Sequence, residues 1–414
     1  MAERTHPKRK CAILFGYNGS KYQGLQKSPE AYAVENDLVK ALLSAGAVLD
    51  SNTDCIEKKL KWSRAARTDK GVHAAGSVVA AKLMVGGGEE DAAALVKKVN
   101  GHLDELSAPI CVYKIVKTTT KFDARKWCSG RRYIYYLPTF VLAPQNELWD
   151  QAASAPRSSN VPEGEFDAEY VADVPSECAE MTDEEANKWH AQRRKSIIER
   201  TGPVDDATMK RLSDALATFV GTHNFHNYTR RLRFSDMQSK RYIMDFTVDP
   251  KSVTVEGMEF VRITVVGQSF LYNQIRKMIG MAVEVARRSK PTSLITDAFG
   301  EDRADVPKAP AEGLLLGCCF FNDYNKKITG PSIQVPREKI DFDVPEIKKA
   351  SLEFADSKLL PFIAENEIKN SAFAKWAYIY DRRKFPNNDR ILLTTKREPD
   401  SRKKHAHSKR QKTS

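Results

Sequence analysis

Apolar positions along this chain switch between a period of two and a period near 3.6, and the switches mark out alternating strands and helices. Residues 10–16 read as an opening strand, and residues 33–45 place Val34, Leu38, Leu42 and Ala45 on one helical stripe. Two runs that read as strands flank a polar stretch within residues 59–85, the second of them, 77–85, dominated by small and apolar residues. Gly86 to Gly88 end it, and a helix is predicted from 89 to 100, with acids at its start and lysines near its end as the helix dipole favours. After a strand at 110–116, alternation puts Tyr133, Tyr135 and Leu137 on one face of another.

The pattern lapses between 144 and about 200 and recovers only late, with helical character at 183–199. Met209, Leu212, Leu216 and Phe219 then give a helix that Gly221 closes. Strands follow at 241–248 and 259–266, and in residues 267–290 Leu271, Ile275, Met278, Ile279, Ala282 and Ala286 form one apolar stripe with Arg276 outside it, near the helix start. A Pro-rich approach leads into a last strand within 306–321, and helical character returns at 363–380. Strands and helices alternate in both halves without a Rossmann glycine pattern or a phosphate loop, so the fold class is α+β.

A chain of 414 residues exceeds what one hydrophobic core serves, and no apolar run approaches twenty residues. The seven cysteines form no C-x-x-C pair and suit reduced, mostly buried thiols in a cytosolic or nuclear protein. His223 and His226 lack a second cluster in sequence, so no metal site is expected. The net charge of +12 is unevenly spread: between 145 and 186 twelve acids face Arg157 alone, whereas the tail from 396 holds eight Lys or Arg against two acids. The remainder is more basic than the total suggests, which suits a polyanionic partner bound through its phosphates. The acidic stretch, with its Pro, Ser and Gly clusters, reads as a partly disordered surface insertion.

Candidate chemistry concentrates around Asp69. In RTDKGVHAAG the only acid sits among Arg64, Arg67, Lys70 and His73, whose charges favour the carboxylate form, and Gly71 permits a tight turn. This wording closely resembles the signature of the A-type tRNA pseudouridine synthases, and five further segments extend the resemblance from Tyr17 to Phe321. They are YNGSKYQGLQ; KFDARKWCSGRRYIYY; GTHNFHNYT with GQSFLYNQIRKM, which favour the eukaryotic branch; and EGLLLG. Related eukaryotic sequences commonly carry His where Asn273 stands, so the role of that position is open.

The resemblance implies a pseudouridine synthase fold: two sheet-and-helix subdomains sharing a central antiparallel sheet, with a basic cleft between them. It makes Asp69 the catalytic carboxylate, Tyr133 the active-site tyrosine, stacking on uracil and helping to remove the C5 proton, and Arg276 the ion-pair partner of Asp69. Expected RNA contacts are Tyr22, Gln26, Arg67, Lys70, His73, Arg131, Arg132, His223 and Asn273. The implied reaction needs no cofactor and no metal. The expected divisions are 1–144 and 201–330 as catalytic subdomains, 145–200 as the insertion, 331–395 as an extension and 396–414 as a basic tail suited to nuclear import. The implied partner is tRNA, with other structured RNAs as further substrates, and the expected state is a monomer, nuclear and also cytoplasmic or mitochondrial. Two rivals are a catalytically silent RNA-binding or RNA-folding protein and a carboxylate-dependent nuclease, though the latter would want a second acid near Asp69.

Overall fold

Ten strands hydrogen-bond into one sheet, and their order explains how distant motifs meet. The computed structural model describes residues 7–143, 182–330 and 337–382. The strands are β1 (Lys8–Tyr17), β2 (Ser63–Arg64), β3 (His73–Met84), β4 (Ile110–Lys117), β5 (Gly130–Pro138), β6 (Gly221–Asn224), β7 (Lys240–Val248), β8 (Val253–Val255), β9 (Met258–Gly267) and β10 (Leu314–Phe320). They lie in the order β4-β1-β3-β10-β5-β9-β7-β6, with β2 added to β3 and β8 to β9. The run expected before Asp69 is thus a strand of only two residues. Neighbours are antiparallel except β3 and β10, which run parallel where Leu315 meets His73 and Leu316 meets Ala74. The sheet is therefore mixed, because β10 arrives from the second half of the chain and enters the seam in the direction of β3.

Among the described residues eight longer helices accompany it: α1 (Val34–Ser44), α2 (Glu89–Glu105), α3 (Asp183–Thr201), α4 (Asp206–Ala217), α5 (Gln274–Arg287), α6 (Pro345–Phe354), α7 (Leu360–Asn370) and α8 (Ala372–Arg382). Their ends carry the expected chemistry. Thr182 and Glu185 form a reciprocal capping box on α3, and Asp205 accepts from Thr208 N–H at the start of α4. Two cores result, one built on β1, β3, α1 and α2, the other on β5, β9, α4 and α5. The expected division at 144 is displaced: β5 precedes it in sequence, yet Ile134 to Leu137 belong to the second core. The chain changes halves before β5 because β10 stands between β3 and β5.

The pleat of β5 sorts its side chains. Tyr133 and Tyr135 pair with Val265 and Ile263 of β9 and share one face, which is called the front here. Arg132, Ile134 and Tyr136 occupy the back, and there the 337–382 extension lies across the sheet. Tyr136 Oη donates to Asp356 Oδ1 at 2.6 Å, Arg262 pairs with Asp356 at 3.4 Å, and Phe354 packs edge-on against Tyr113. Ala355, Leu359, Leu360 and Ile363 are buried in the second core and Phe342 and Ile347 in the first, so the extension spans both halves. Most of the acidic insertion and all of the basic tail fall outside the described residues. No helix among the described residues is long and apolar enough to cross a membrane.

Candidate active site

Three segments from separate parts of the sequence approach the centre of the sheet. The loop bearing Asp69 runs into β3 at His73, opposite Leu315 near the start of β10; β5 begins opposite Phe320 at the other end of β10 and carries Tyr133 back to the row of Ala74; and β9 ends beside the start of β5 at Gly267, leading through residues 268–273 into α5 with Arg276 in its first turn. The register makes the proximity concrete, since Ala74, Leu316, Tyr133 and Val265 stand in one row across four strands. At about 5 Å per strand, Tyr133 lies two strands, roughly 10 Å, from the start of β3. Arg131 Nη2 crosses that interval to the Ala65 carbonyl ahead of the loop.

The YNGSKYQG segment braces this loop from below. Gly71 N–H donates to the Tyr22 carbonyl at 3.2 Å, Leu25 N–H to the Thr68 carbonyl at 3.3 Å, and the Tyr17 and Thr68 hydroxyls meet at 2.7 Å. Gly24 and Gly71 both adopt positive φ, and a Cβ on Gly24 would stand 2.7 Å from the Thr68 carbonyl. The approach to the loop is fixed by Glu35, a fully buried acid that accepts from Trp62 Nε1 at 2.7 Å, from Lys27 N–H at 2.9 Å and from both ends of the Arg64 guanidinium. Asp69, Arg67 and Lys70 themselves are exposed. The turn is held rigid by buried groups while its three charged side chains face solvent.

Tyr133 lies in the seam, packed against both cores and edge-on to Phe270 at 5.3 Å. Burial pushes its phenol up to about 12; Arg131 works in the opposite direction, and the charge of Asp69 adds to the rise. Asp69 is therefore near enough to be felt at the phenol. Arg131 is on the front face with its Nη2 donating to the Ala65 carbonyl at 2.7 Å. Asn273 caps α5 in the left-handed conformation, φ 59°, half-buried, and Gln26 is exposed beside the Asp69 loop.

Several expected site residues are placed elsewhere. Tyr22 is buried, its hydroxyl donating to Asp37 at 2.9 Å, so it builds the brace and does not present a surface to RNA. His73 stands in the row of Leu315 and Ile134, on the back face; its Nδ1 accepts from Gly19 N–H at 2.9 Å and its ring meets Phe362 of α7. Arg132 shares that face by the same alternation, where Asp343 holds it in a two-pronged pair at 3.1 and 3.3 Å. His223 lies on β6, three strands from β5, stacked on Phe299 at 4.3 Å with Nε2 donating to the Val220 carbonyl. The ion pair implied between Arg276 and Asp69 is not formed among the described residues. Arg276 Nε instead donates to the Ala309 carbonyl at 2.7 Å, and Ala309 N–H returns to the Arg276 carbonyl, which turns the side chain toward the segment before β10. Arg64, expected among the charges around Asp69, is held by Glu35 and Glu57 instead, and the bracing roles of Glu35, Tyr17 and Thr68 were not identified from sequence. No group of three His, Cys, Asp or Glu suited to a metal occurs among the described residues.

The arrangement offers a lone accessible carboxylate, an aromatic ring in a narrow seam and cations on either side. Residues 215–322, which contain β6 to β10 and α5, match the family model described as tRNA pseudouridine synthase. The chain is 34% identical over 375 residues to tRNA pseudouridine synthase 1 of Yarrowia lipolytica, covering 82% of this chain and 68% of that protein. It is 32% identical over 357 residues to the Saccharomyces cerevisiae protein of the same name, covering 78% and 63%, and 31% identical over 377 residues to the mouse pseudouridylate synthase 1 homolog, covering 90% and 74%. The similarity thus extends over both halves of the sheet, and the chain belongs to the tRNA pseudouridine synthase family.

Proposed function

We propose that this protein isomerises uridines of tRNA to pseudouridine with Asp69 as the catalytic carboxylate. The observation that supports this reading is the Asp69 loop beside the Tyr133 seam, with Arg131 of β5 bridging to the Ala65 carbonyl ahead of the loop and the charge of Asp69 felt at the Tyr133 phenol. The reaction breaks the N1–C1′ bond, forms C5–C1′, removes a proton from C5 and returns one to N1; atoms and electrons balance within the nucleotide. The protein needs a carboxylate to start glycosidic cleavage, a slot for the base and cations for the phosphates. Asp69 supplies the first from a turn whose backbone is pinned on both sides, so little reorganisation accompanies attack. Tyr133 supplies the wall of the slot. With its phenol held near 12, the phenolate is on the order of one molecule in 10⁵ at pH 7, which favours stacking over proton abstraction for this ring.

A uridine in a stem must first leave the stack, at a cost of a few kcal/mol. Arg67, exposed two residues before Asp69, is placed to enter the vacated position. Arg276, in the first turn of α5, is the cation that the resemblance pairs with Asp69. The wording GTHNFHNYT favours targets in the anticodon stem and neighbouring positions. Release of tritium from tRNA transcripts labelled at uridine C5 tests the reading: the account expects release matching the pseudouridine formed. Tight tRNA binding with no release would instead mark a silent RNA-binding protein.

A further inference from the structure

The turn between β6 and β7 spends apolar side chains on solvent. Phe234 is 41% exposed and Met237 76%, although Tyr228, three residues beyond Phe225, shows that the same segment buries its other rings fully. Residues 229–242 also carry five Arg or Lys against Asp236 alone. The turn is nonetheless well braced. Asn224 Nδ2 donates to the Phe234 carbonyl at 2.8 Å, Asp236 accepts from Arg233 N–H at 2.8 Å, and Phe225 N–H closes the loop on the Ser239 carbonyl at 2.9 Å. Arg231 holds φ 62°, a conformation that costs energy in an arginine and that turns the chain outward.

The position of this turn gives the exposure a direction. β7 starts where β9 ends, so the turn projects from the end of the sheet at which β5 begins, two strands beyond Tyr133. Thr229 Oγ1 donates to the Tyr272 carbonyl at 2.8 Å and Lys277 Nζ to the Asn227 carbonyl at 3.3 Å, tying it to the start of α5. Tyr272, 62% exposed, extends the aromatic surface toward the cleft. From β5 to β7 is two strands, roughly 10 Å, so the turn reaches nucleotides that neighbour the reacting one.

We propose that Arg231, Arg233, Phe234, Met237, Lys240 and Tyr272 form a second RNA-contacting surface that grips the unpaired or extruded strand next to the target uridine, cations on phosphates and rings on bases. The inference rests on the tRNA reading above and adds to it the surface that sets which flanking nucleotides are accepted. Aromatic rings interleaved with cations are the arrangement that holds single-stranded nucleic acid, because every base presents a face for stacking and every phosphate a charge.

Binding of a tRNA transcript by the full chain, titrated at several salt concentrations, tests it. Arg231→Ala/Arg233→Ala/Lys240→Ala should weaken binding at least about tenfold and flatten the slope of log K against log salt by roughly two to three. Phe234→Ala/Tyr272→Ala should weaken binding at least about fivefold with the slope unchanged. A control removing the same charge elsewhere, Lys195→Ala/Lys210→Ala/Lys349→Ala, should change affinity less than about twofold. Either patch variant binding as the control does would overturn the proposal. Because affinity is read without turnover, a wild-type protein that binds tRNA and converts no uridine would sink the functional reading alone, leaving the patch to be judged on its own titration.

Discussion

Burial decides the protonation of a histidine beneath the Asp69 loop. His73 receives Gly19 N–H on Nδ1 and is enclosed by β3 and α7, and burial holds it down at about 4, well under the ordinary 6.5. Between those values the unfolded chain takes up a proton that the folded chain refuses. Stability is therefore complete above about pH 6.5 and is lost as pH falls through 4, by about 3 kcal/mol in all. His190, held down to about 3 by burial and by Arg193 and Lys375, adds to the loss with the same sign. In thermal melts from pH 7 to 4, His73→Gln should lose less Tm than wild type, since Gln keeps an acceptor and carries no proton. Parallel declines would show that His73 does not couple to folding. The resemblance placed His73 among the RNA contacts; the parity of β3, which sends it to the back of the sheet, depends on a strand start four residues earlier than the apolar run suggested.

Helix α3 is anchored to the extension by a buried ion pair, beside the packing of Trp189, His190 and Arg193 on Tyr378. Arg194 Nη1 donates to Glu367 Oε1 at 3.2 Å and to the Glu367 carbonyl at 2.8 Å, while the Glu367 carboxylate also accepts Phe373 and Ala374 N–H. Burial pushes the Glu367 carboxyl up to about 7 against the pull of those donors and of Arg194. Arg194→Met leaves that acid buried without its cation and should cost about 3 kcal/mol in urea unfolding, whereas Arg194→Met/Glu367→Gln should cost less. Equal losses would mean the pair is not the anchor. Elements of this kind were legible where periodicity is local. α1, α2 and α5 lie close to their apolar stripes, and β1, β4, β7 and β9 match the expected runs within one or two residues. The extension was legible only as late helical character. Pro345 and Pro361, in the first turns of α6 and α7, were usable start signals. What covers the sheet from behind is set by contacts hundreds of residues apart, such as Arg132 with Asp343 and Tyr136 with Asp356, which no window of sequence contains.

At the scale of the whole molecule, two halves meet through a seam that neither completes. β10 lies between β3 and β5, and the extension seals the back across both cores, so a chain ended at Gly330 would expose Ile134, Tyr136 and the back of β9. Such a truncation should be recovered only as aggregate, and a soluble, cooperatively melting product would show the cover to be dispensable. The motif order from Tyr17 to Phe321 made the two-part α+β architecture legible. The parallel junction, the displaced division before β5 and the back-face fate of Arg132 required coordinates, because each depends on which strand β10 chooses as neighbour. The front of the seam is left to Asp69, Tyr133 and α5. The measurement that bears most directly on this account is single-turnover pseudouridine formation in a tRNA transcript by Asp69→Asn, with binding of the same transcript measured in parallel. The account predicts conversion lowered by at least about 10³-fold with affinity within about threefold of wild type; conversion near the wild-type rate would contradict it.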